Sequence, residues 1–385
     1  MRTVSITGVG IHPFGRFDDR SVTDMGVHAV RAALGEAGNP TFQAAFCGTA
    51  YSGVAAGHKV LGAIARTGMP IIDVEAGCAS GGAALMLAAG AIRAGQYDSV
   101  LVFGIEKMPR GIIRSSFFEP WREAAGLAAT PAYFALRAQR LLRESGLTKE
   151  HLARVVVKNR DHGVHNPDAM FRSAVTVDQV LASRVVCEPL HLWMLCSPNE
   201  GAAAVVLRAG GRDGMTGSGP AITLEAAVLR SHLPGSVLGE ATPLAGIDDD
   251  LITPPSTLAA DAAYEEAGVG PADIDVVECQ DTDAARELLA WEELRLCARG
   301  EQAALLADGS AALGGRRPVN VSGGLLSKGE PLGASGLGQV VELVRQLRGD
   351  AGARQVEGAR VGLAHTVGRG ANASVTIVKR EEREA

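Results

Sequence analysis

The chain has 385 residues, more than one simple hydrophobic core organises, so two domains or two halves are expected. A hydrophobic fraction of 46% beside 21% charged residues excludes a disordered chain, and a net charge of −6 without any Lys/Arg run excludes a nucleic-acid surface. Aromatic residues make up only 4% while glycine numbers 48, so the cores must be built from Ala, Val and Leu with backbones in close approach.

In chain order, residues 1–15 read as a β-strand and turn rather than a signal peptide. A helical pattern begins at Val22 and ends in Glu36-Ala37-Gly38, where glycine suits a left-handed cap. The apolar stretch 44–48 reads as a strand. Next comes Val74-Glu75-Ala76-Gly77-Cys78-Ala79-Ser80-Gly81-Gly82, followed by an Ala-rich helical pattern over 83–94. This layout places the Cys78 thiol on a tight turn at the N-terminus of a buried helix. Backbone N–H groups and the positive end of the helix dipole favour a thiolate there. A thiolate among small residues is a nucleophile that an acyl group can reach. The competing reading is a free cysteine packed as a small hydrophobe.

A strand over 99–104 follows. The segment 107–145 then breaks the rhythm and holds Phe117, Phe118, Trp121, Tyr133 and Phe134. It reads as an excursion covering the site, a lid or tunnel wall, with a helical interface patch as the alternative. A Gly-rich linker near 212–222 precedes a second series of elements. There a helical pattern from Thr257 ends at Gly268, and a strand is expected over 274–279. Gly333-Ala334-Ser335-Gly336 leads into a helix reaching Leu347, and a strand over 360–365 follows. The two series match, which predicts pseudo-symmetric halves at 1–218 and 219–385. Alternating strands and helices predict an α/β protein with a largely parallel sheet covered on both faces and a site where the halves meet.

The six cysteines are scattered with no CxxC pair, so neither a metal site nor a disulfide framework is expected. Cys187, Cys196, Cys279 and Cys297 read as small buried hydrophobes, with Cys279 next to Gln280 and so able to line a pocket. His162 and His165 read as part of a polar surface loop rather than a metal site. No apolar run approaches the roughly 20 residues of a spanning helix, so no membrane span is expected and a reducing cytoplasm is the simplest compartment.

Several longer motifs carry a family likeness. Glu75-Ala76-Gly77-Cys78-Ala79-Ser80-Gly81, Lys158-Asn159-Arg160 with Asn166-Pro167-Asp168-Ala169-Met170, and Cys196-Ser197-Pro198-Asn199-Glu200-Gly201-Ala202-Ala203-Ala204 form one series. The segment from Asn320 to Gly336 is the most specific. Through these the chain resembles the thiolase superfamily, in particular sterol-carrier-protein-type thiolases and thiolase-like lipid-transfer proteins. The resemblance implies a five-layered αβαβα fold, a homodimer or larger oligomer, and action on coenzyme A thioesters with no resident cofactor. It implies an oxyanion hole from the backbone N–H groups of Cys78 and of a glycine in Gly368-Arg369-Gly370, taken as Gly370. It also implies coenzyme A contacts from Ser231 and His232, which open the loop running to Pro255, and from Ser335.

The departures fall on catalytic positions. The family's Gly-His-Pro is Gly329-Glu330-Pro331 here, and an ionised Glu330 cannot donate to a thioester oxygen. Loss of one oxyanion donor costs on the order of 3 kcal/mol. The His-Asp-Cys-Phe motif of the sterol-carrier type is replaced by Gln280-Asp281-Thr282-Asp283, in which Gln280 is expected to hold a water. By the same resemblance Val361 takes the place of a second catalytic cysteine, while His365 survives from the C-terminal run. Three readings follow. The preferred one is an acyltransferase with an acyl-enzyme on Cys78 and Glu330 as general base, Gln280 or His365 orienting the acceptor. The second is a retro-aldolase acting on a CoA-linked side chain with an OB-fold partner protein. The third is an inactive scaffold subunit of a multiprotein acyltransferase.

Overall fold

The computed structural model describes residues 2–111, 121, 124, 130–210, 220–234, 252–368 and 372–381. The first half contains β1 (Val4–Gly15), α1 (Val22–Glu36), β2 (Ala44–Gly48), α2 (Ala56–Gly62), β3 (Ile71–Val74), α3 (Ser80–Arg93) and β4 (Ser99–Lys107). Helices α4 (Thr130–Ser145), α5 (Lys149–Val164) and α6 (Val177–Ala182) follow, then the small hairpin β5 (Val185–Cys187) and β6 (Leu190–His191), and finally β7 (Glu200–Ala209). The second half contains β8 (Ile222–Ser231), α7 (Pro255–Ala267), β9 (Val276–Glu278), α8 (Ala284–Glu293) and α9 (Gln302–Ala307). It closes with α10 (Gly324–Lys328), α11 (Leu332–Arg348), β10 (Val361–Gly368) and β11 (Asn372–Arg380).

The helix ends follow from local chemistry. Ser21 and Asp24 form a reciprocal capping box that starts α1, and Gly38 takes φ +78° just beyond its end. Pro255 starts α7 at a position whose N–H needs no partner, and Gly268 stops it at φ +64°. The Gly-Ala-Ser-Gly run at 333–336 lies inside α11 rather than ahead of it.

Nine strands form one sheet in the order β3-β2-β4-β7-β1-β8-β11-β10-β9. Read outward from the β1–β8 seam, both halves repeat one pattern, and an isolated parallel bridge from Val277 to Val319 supplies the second half's counterpart of β3. The seam is short: only Ser5–Thr223 and Ile6–Ile222 pair across it. The sheet departs from the largely parallel expectation. Parallel pairing is confined to the flanks, β2 with β3 and β4, and β9 with β10, while the centre is antiparallel. β10 and β11 follow one another with only three residues between, the connection of an antiparallel pair, whereas β7 pairs antiparallel with β4 after the long excursion through α4, α5 and α6.

Helices α3 and α11 pack on each other between the two halves, α3 against β2, β4 and β8, and α11 against β4, β7 and β10. On the outer faces α1 covers β1, β7 and β4, while α7 covers β8 and β11. Five layers result. Successive residues of β7 show the division, since Val205 belongs to the central core with Leu85, Leu337 and Val340, and Val206 to the outer core with Met25, Val30 and Phe103. A third core joins Leu152, Leu288 and Trp291 to Val375 and Ile377 of β11.

Candidate active site

Cys78 lies two residues ahead of α3, on the turn that the sequence indicated. Gly77 takes φ +59°, and Ser80 closes the turn. Its hydroxyl donates to the Gly77 carbonyl at 2.6 Å and accepts the Ala76 N–H at 2.9 Å. A Cβ at Gly368 would stand 2.1 Å from the Ala76 carbonyl oxygen, so glycine is what lets the end of β10 meet this turn. The Cys78 side chain is 5% exposed and packs against Met108 and Leu332. The remaining oxyanion candidate, Gly370, lies outside the described residues.

Glu330 comes from the other half, immediately ahead of Pro331 and α11. The N-termini of α3 and α11 converge because small residues line their contact. A Cβ on Gly81 of α3 would lie 3.1 Å from the Gly333 carbonyl oxygen, and one on Gly104 of the adjacent β4 only 2.2 Å from it. Asp281 fixes the approach to Glu330 by accepting the N–H groups of Leu325 and Leu326 at 2.7 and 3.1 Å, and burial with the nearby Glu287 raises the Asp281 pKa well above the usual range. The Glu330 backbone is stitched to the segment before β7: its N–H donates to Ser197 at 2.8 Å and its carbonyl accepts from Asn199 at 3.3 Å.

Cys196 and Gln280 both hold the Glu330 carboxylate. The Cys196 thiol donates to Oε2 at 3.2 Å, and Gln280 Nε2 donates to Oε1 at 2.9 Å. The Val367 N–H donates to Gln280 Oε1. A backbone N–H only donates, so the Gln280 amide has one orientation, oxygen toward Val367 and NH2 toward Glu330. Both ends are engaged within the protein, so Gln280 clamps the carboxylate.

Cys196 departs most from expectation. It is not a packed hydrophobe but a wall of the site, hooked in place by its own N–H to the Thr282 carbonyl at 2.9 Å. Burial raises its thiol pKa well above the usual range, and the charge and hydrogen bond of Glu330 add to the effect. Cys279, by contrast, is fully buried beneath Asn320 and does not line the site.

A cavity of about 260 Å³ joins these groups. Cys78, Cys196, Gln280 and Glu330 line it together with Leu332 and Val367, and Thr130, Pro131, Phe134 and Arg137 of α4 form another wall. Within the 107–145 excursion, Gly111 and the first turns of α4 thus line the cavity. Arg137, Arg184 and Arg286 give the cavity a cationic lining that sequence reasoning missed. Arg137 pairs with Asp283, and Arg286 pairs with Glu293.

Other sequence-predicted residues lie elsewhere. His365 is fully buried on β10, with Nε2 3.0 Å from the Ser256 hydroxyl, and burial together with Arg286 pushes its pKa well below the usual range. It does not line the cavity, so it is out of reach of an acceptor held there. Val361 stands six residues before Val367, roughly 20 Å along an extended strand, too far to mark the place of a second thiol. Ser335 turns its hydroxyl onto the Pro331 carbonyl at 3.0 Å within α11. Ser231 and His232 end β8 away from the cavity lining, and most of the loop they open lies outside the described residues. His162 and His165 are not in a surface loop. His162 is buried on α5, bridging the Asn320 carbonyl and the Leu313 N–H at 2.9 Å each, and His165 caps that helix.

Family models agree with this architecture. "Thiolase, N-terminal domain" matches residues 4–210, and "Thiolase C-terminal domain-like" matches residues 244–381.

The chain belongs to the thiolase family.

Its relatives include sterol carrier protein 2 of Oryctolagus cuniculus, 35% identical over 98% of this chain and 72% of that protein. The acetyl-CoA acetyltransferase of Methanothermobacter thermautotrophicus is 36% identical over 99% of this chain and 100% of its own length. Among solved structures, the Ltp2-ChsH2(DUF35) aldolase matches with a TM-score of 0.86 at 25% identity, over 99% of this chain and 98% of that one. No helix among the described residues is long and apolar enough to cross a membrane, and no cluster of three His, Cys, Asp or Glu side chains among them is arranged to hold a metal ion.

Proposed function

We propose that this thiolase-family protein is an acyltransferase in which Cys78 takes an acyl group from a coenzyme A or acyl-carrier thioester and Glu330 serves as general base toward the acceptor. The observation that carries this reading is the shared cavity. It holds a thiol ahead of one helix N-terminus and a clamped carboxylate ahead of the other. Attack of the Cys78 thiolate on the thioester carbonyl forms a new C–S bond and expels the coenzyme A thiolate. Helix α3, pointing its N-terminus at the sulfur, favours both the thiolate and the tetrahedral oxyanion. Gln280 and Cys196 hold the Glu330 carboxylate in one orientation, so that it meets an acceptor without reorganising. The reading includes a homo-oligomer and a thioester substrate, with no resident cofactor.

The test is intact-mass spectrometry after incubation with acetyl-, butyryl-, octanoyl- and succinyl-CoA. A gain of one acyl group is expected, absent in Cys78→Ala. No adduct with any of the four overturns the reading.

The aldolase neighbour favours a second reading, retro-aldol cleavage of a CoA-linked side chain with a DUF35-type, OB-fold partner. That reading predicts cleavage of a β-hydroxyacyl-CoA without an adduct. Against it, no tyrosine lines the cavity among the described residues, and Tyr264 is buried with its hydroxyl on the Leu294 carbonyl at 2.8 Å.

A further inference from the structure

We infer that the acyl group taken up at this site is a short one ending in a carboxylate, a dicarboxylic acid carried as its monothioester, and that Arg184 is the specificity-determining residue that receives the far carboxylate. The inference rests on the acyl-transfer reading above and names the substrate class which that reading leaves open.

Three observations carry it. First, cations from three separate parts of the chain converge on the cavity: Arg137 of α4, Arg184 immediately ahead of β5, and Arg286 of α8. Glu330 is the one acid that lines it among the described residues. Second, the three arginines are not equally engaged. Arg137 lies over the Phe134 ring, 5.1 Å from its centre, and pairs with the buried Asp283, while Arg286 pairs with Glu293. Arg184 is held through its backbone carbonyl, which accepts the Leu192 N–H at 2.8 Å, but its guanidinium pairs with no acid among the described residues. Arg184 is exposed and Cys78 is buried, so the cavity reaches from the sulfur to a rim that carries an uncompensated cation. Third, burial and the neighbouring Arg137 push the Arg286 pKa below its usual value, against the pull of Glu293. Guanidinium groups that repel one another at a cavity wall are relieved by an anion placed among them.

The lining fits such an acyl chain. Pro131, Phe134, Leu192, Leu195 and Leu332 offer apolar contact to its methylene groups. The volume of about 260 Å³ lies below the roughly 300–1,000 Å³ of sites for drug-sized ligands, so the chain is short. A guanidinium grips a carboxylate through two parallel N–H···O bonds, and the fork of Arg184 is free to do so. The phosphates of coenzyme A do not account for these cations. The whole pantetheine arm separates them from the thioester, so cations that share this small cavity with the sulfur meet the acyl group. In the transfer itself the Cys78 thiolate attacks the thioester carbonyl, a C–S bond to Cys78 forms, and the bond to the coenzyme A sulfur breaks with its electron pair leaving as the thiolate. The far carboxylate makes and breaks no bond. It stays ionised on Arg184 and sets which carbonyl comes to rest against the sulfur. A methyl-ended chain of the same length forgoes that contact and leaves the cation uncompensated.

The experiment compares succinyl-CoA with butyryl-CoA, whose four-carbon acyl groups differ in a terminal carboxylate against a terminal methyl. The full chain is incubated with each at equal, sub-saturating concentration. Gain of one acyl group is timed by intact-mass spectrometry, and the gain in Cys78→Ala is subtracted. Wild type is expected to take the succinyl group at least about 10-fold faster, the worth of one charge-assisted contact. In Arg184→Gln the ratio of the two rates is expected to fall at least about 10-fold, while Arg184→Lys, which keeps the charge, retains a succinyl preference. A succinyl rate no higher than the butyryl rate in wild type overturns the inference and leaves the acyl-transfer reading standing. An unchanged ratio in Arg184→Gln also overturns it, whether both rates hold or both fall together; a shared fall assigns Arg184 to the coenzyme A moiety. If Arg184→Gln does not fold, the wild-type comparison and the lysine variant decide the matter. Absence of an adduct in wild type with all four acyl-CoA probes removes the acyl-transfer reading and the inference with it.

Discussion

Replacing Glu330 by Gln tests the central pairing without requiring knowledge of the substrate. The substitution is made in a Cys78→Ala background, so that Cys196 is the cavity thiol left to react. The carboxylate oxygen lies 3.2 Å from the Cys196 sulfur, and a thiolate forming there meets a like charge at that distance. With an effective dielectric of about 20 the repulsion is roughly 5 kcal/mol, and with about 40, suited to a thiol that partly meets solvent, roughly 2.6 kcal/mol. The repulsion therefore adds to burial in raising the Cys196 thiol pKa well above the usual range. The amide removes the charge and weakens the hydrogen bond that stabilises the protonated thiol, and both changes act in the same direction. The Cys196 pKa falls, so alkylation begins at lower pH. The assay is the rate of iodoacetamide modification of the Cys196 peptide, read by mass spectrometry across pH 6 to 11. The midpoint in Glu330→Gln is expected below that of the Glu330 parent. Identical midpoints would mean that the carboxylate does not face the thiol, and the reasoning built on the pair would fall.

The glycine contact between β4 and α11 gives a paired stability prediction. Gly104→Ala drives a methyl group to 2.2 Å from the Gly333 carbonyl, a backbone atom that cannot swing aside, and a loss of about 3 kcal/mol in urea unfolding is expected. Gly35→Ala, inside α1 with nothing within 4 Å of the new methyl, should gain about 0.5–1 kcal/mol; if the two variants move stability alike, packing at Gly104 is not what matters. His162 predicts a pH dependence. Burial holds its pKa at about 3, so below pH 6.5 the unfolded chain binds a proton that the folded chain refuses. Stability therefore declines as pH falls from 6.5 toward 3, by about 1.4 kcal/mol per unit, or about 2 kcal/mol by pH 5. His162→Gln should lose about 2 kcal/mol less than wild type between pH 7 and pH 5, and equal losses in the two proteins would contradict the account.

Local chemistry made much of the fold legible. The Ser21 cap and the glycines at 38 and 268 mark helix boundaries that depend on neighbouring residues alone, and α1 and β2 run where the pattern places them. Strand direction was less accessible. β1 is buried along almost its whole length, so it shows no alternation to separate an antiparallel central strand from a parallel one. At the site, Cys78 was legible because a turn, small residues and a helix follow one another within a dozen residues. Cys196 was not, because its meaning depends on a carboxylate 134 positions later, and a lone cysteine before a strand carries no mark of that partner. The one available signal was its place at the head of the Cys-Ser-Pro-Asn-Glu-Gly run that also carries the family likeness. His162 was misread for the same reason, since the carbonyl that buries it belongs to Asn320. His365 kept its place in the motif but points into the layer beneath α7, which only the register of β10 reveals.

The interleaving of α3 and α11 has a consequence for biosynthesis. Helix α3 belongs to the first half by sequence, yet one of its faces is covered by β8, whose last residue is Ser231. At translation rates of about 5–20 residues per second, roughly 7 to 28 s pass between emergence of Arg93 and emergence of Ser231. Through that interval the nascent polypeptide carries an Ala-rich, glycine-lined surface with no native cover, exposed to neighbouring ribosome products. Holding chaperones are therefore expected to engage the growing chain in this window, and the cavity between Cys78 and Glu330 is among the last features to form.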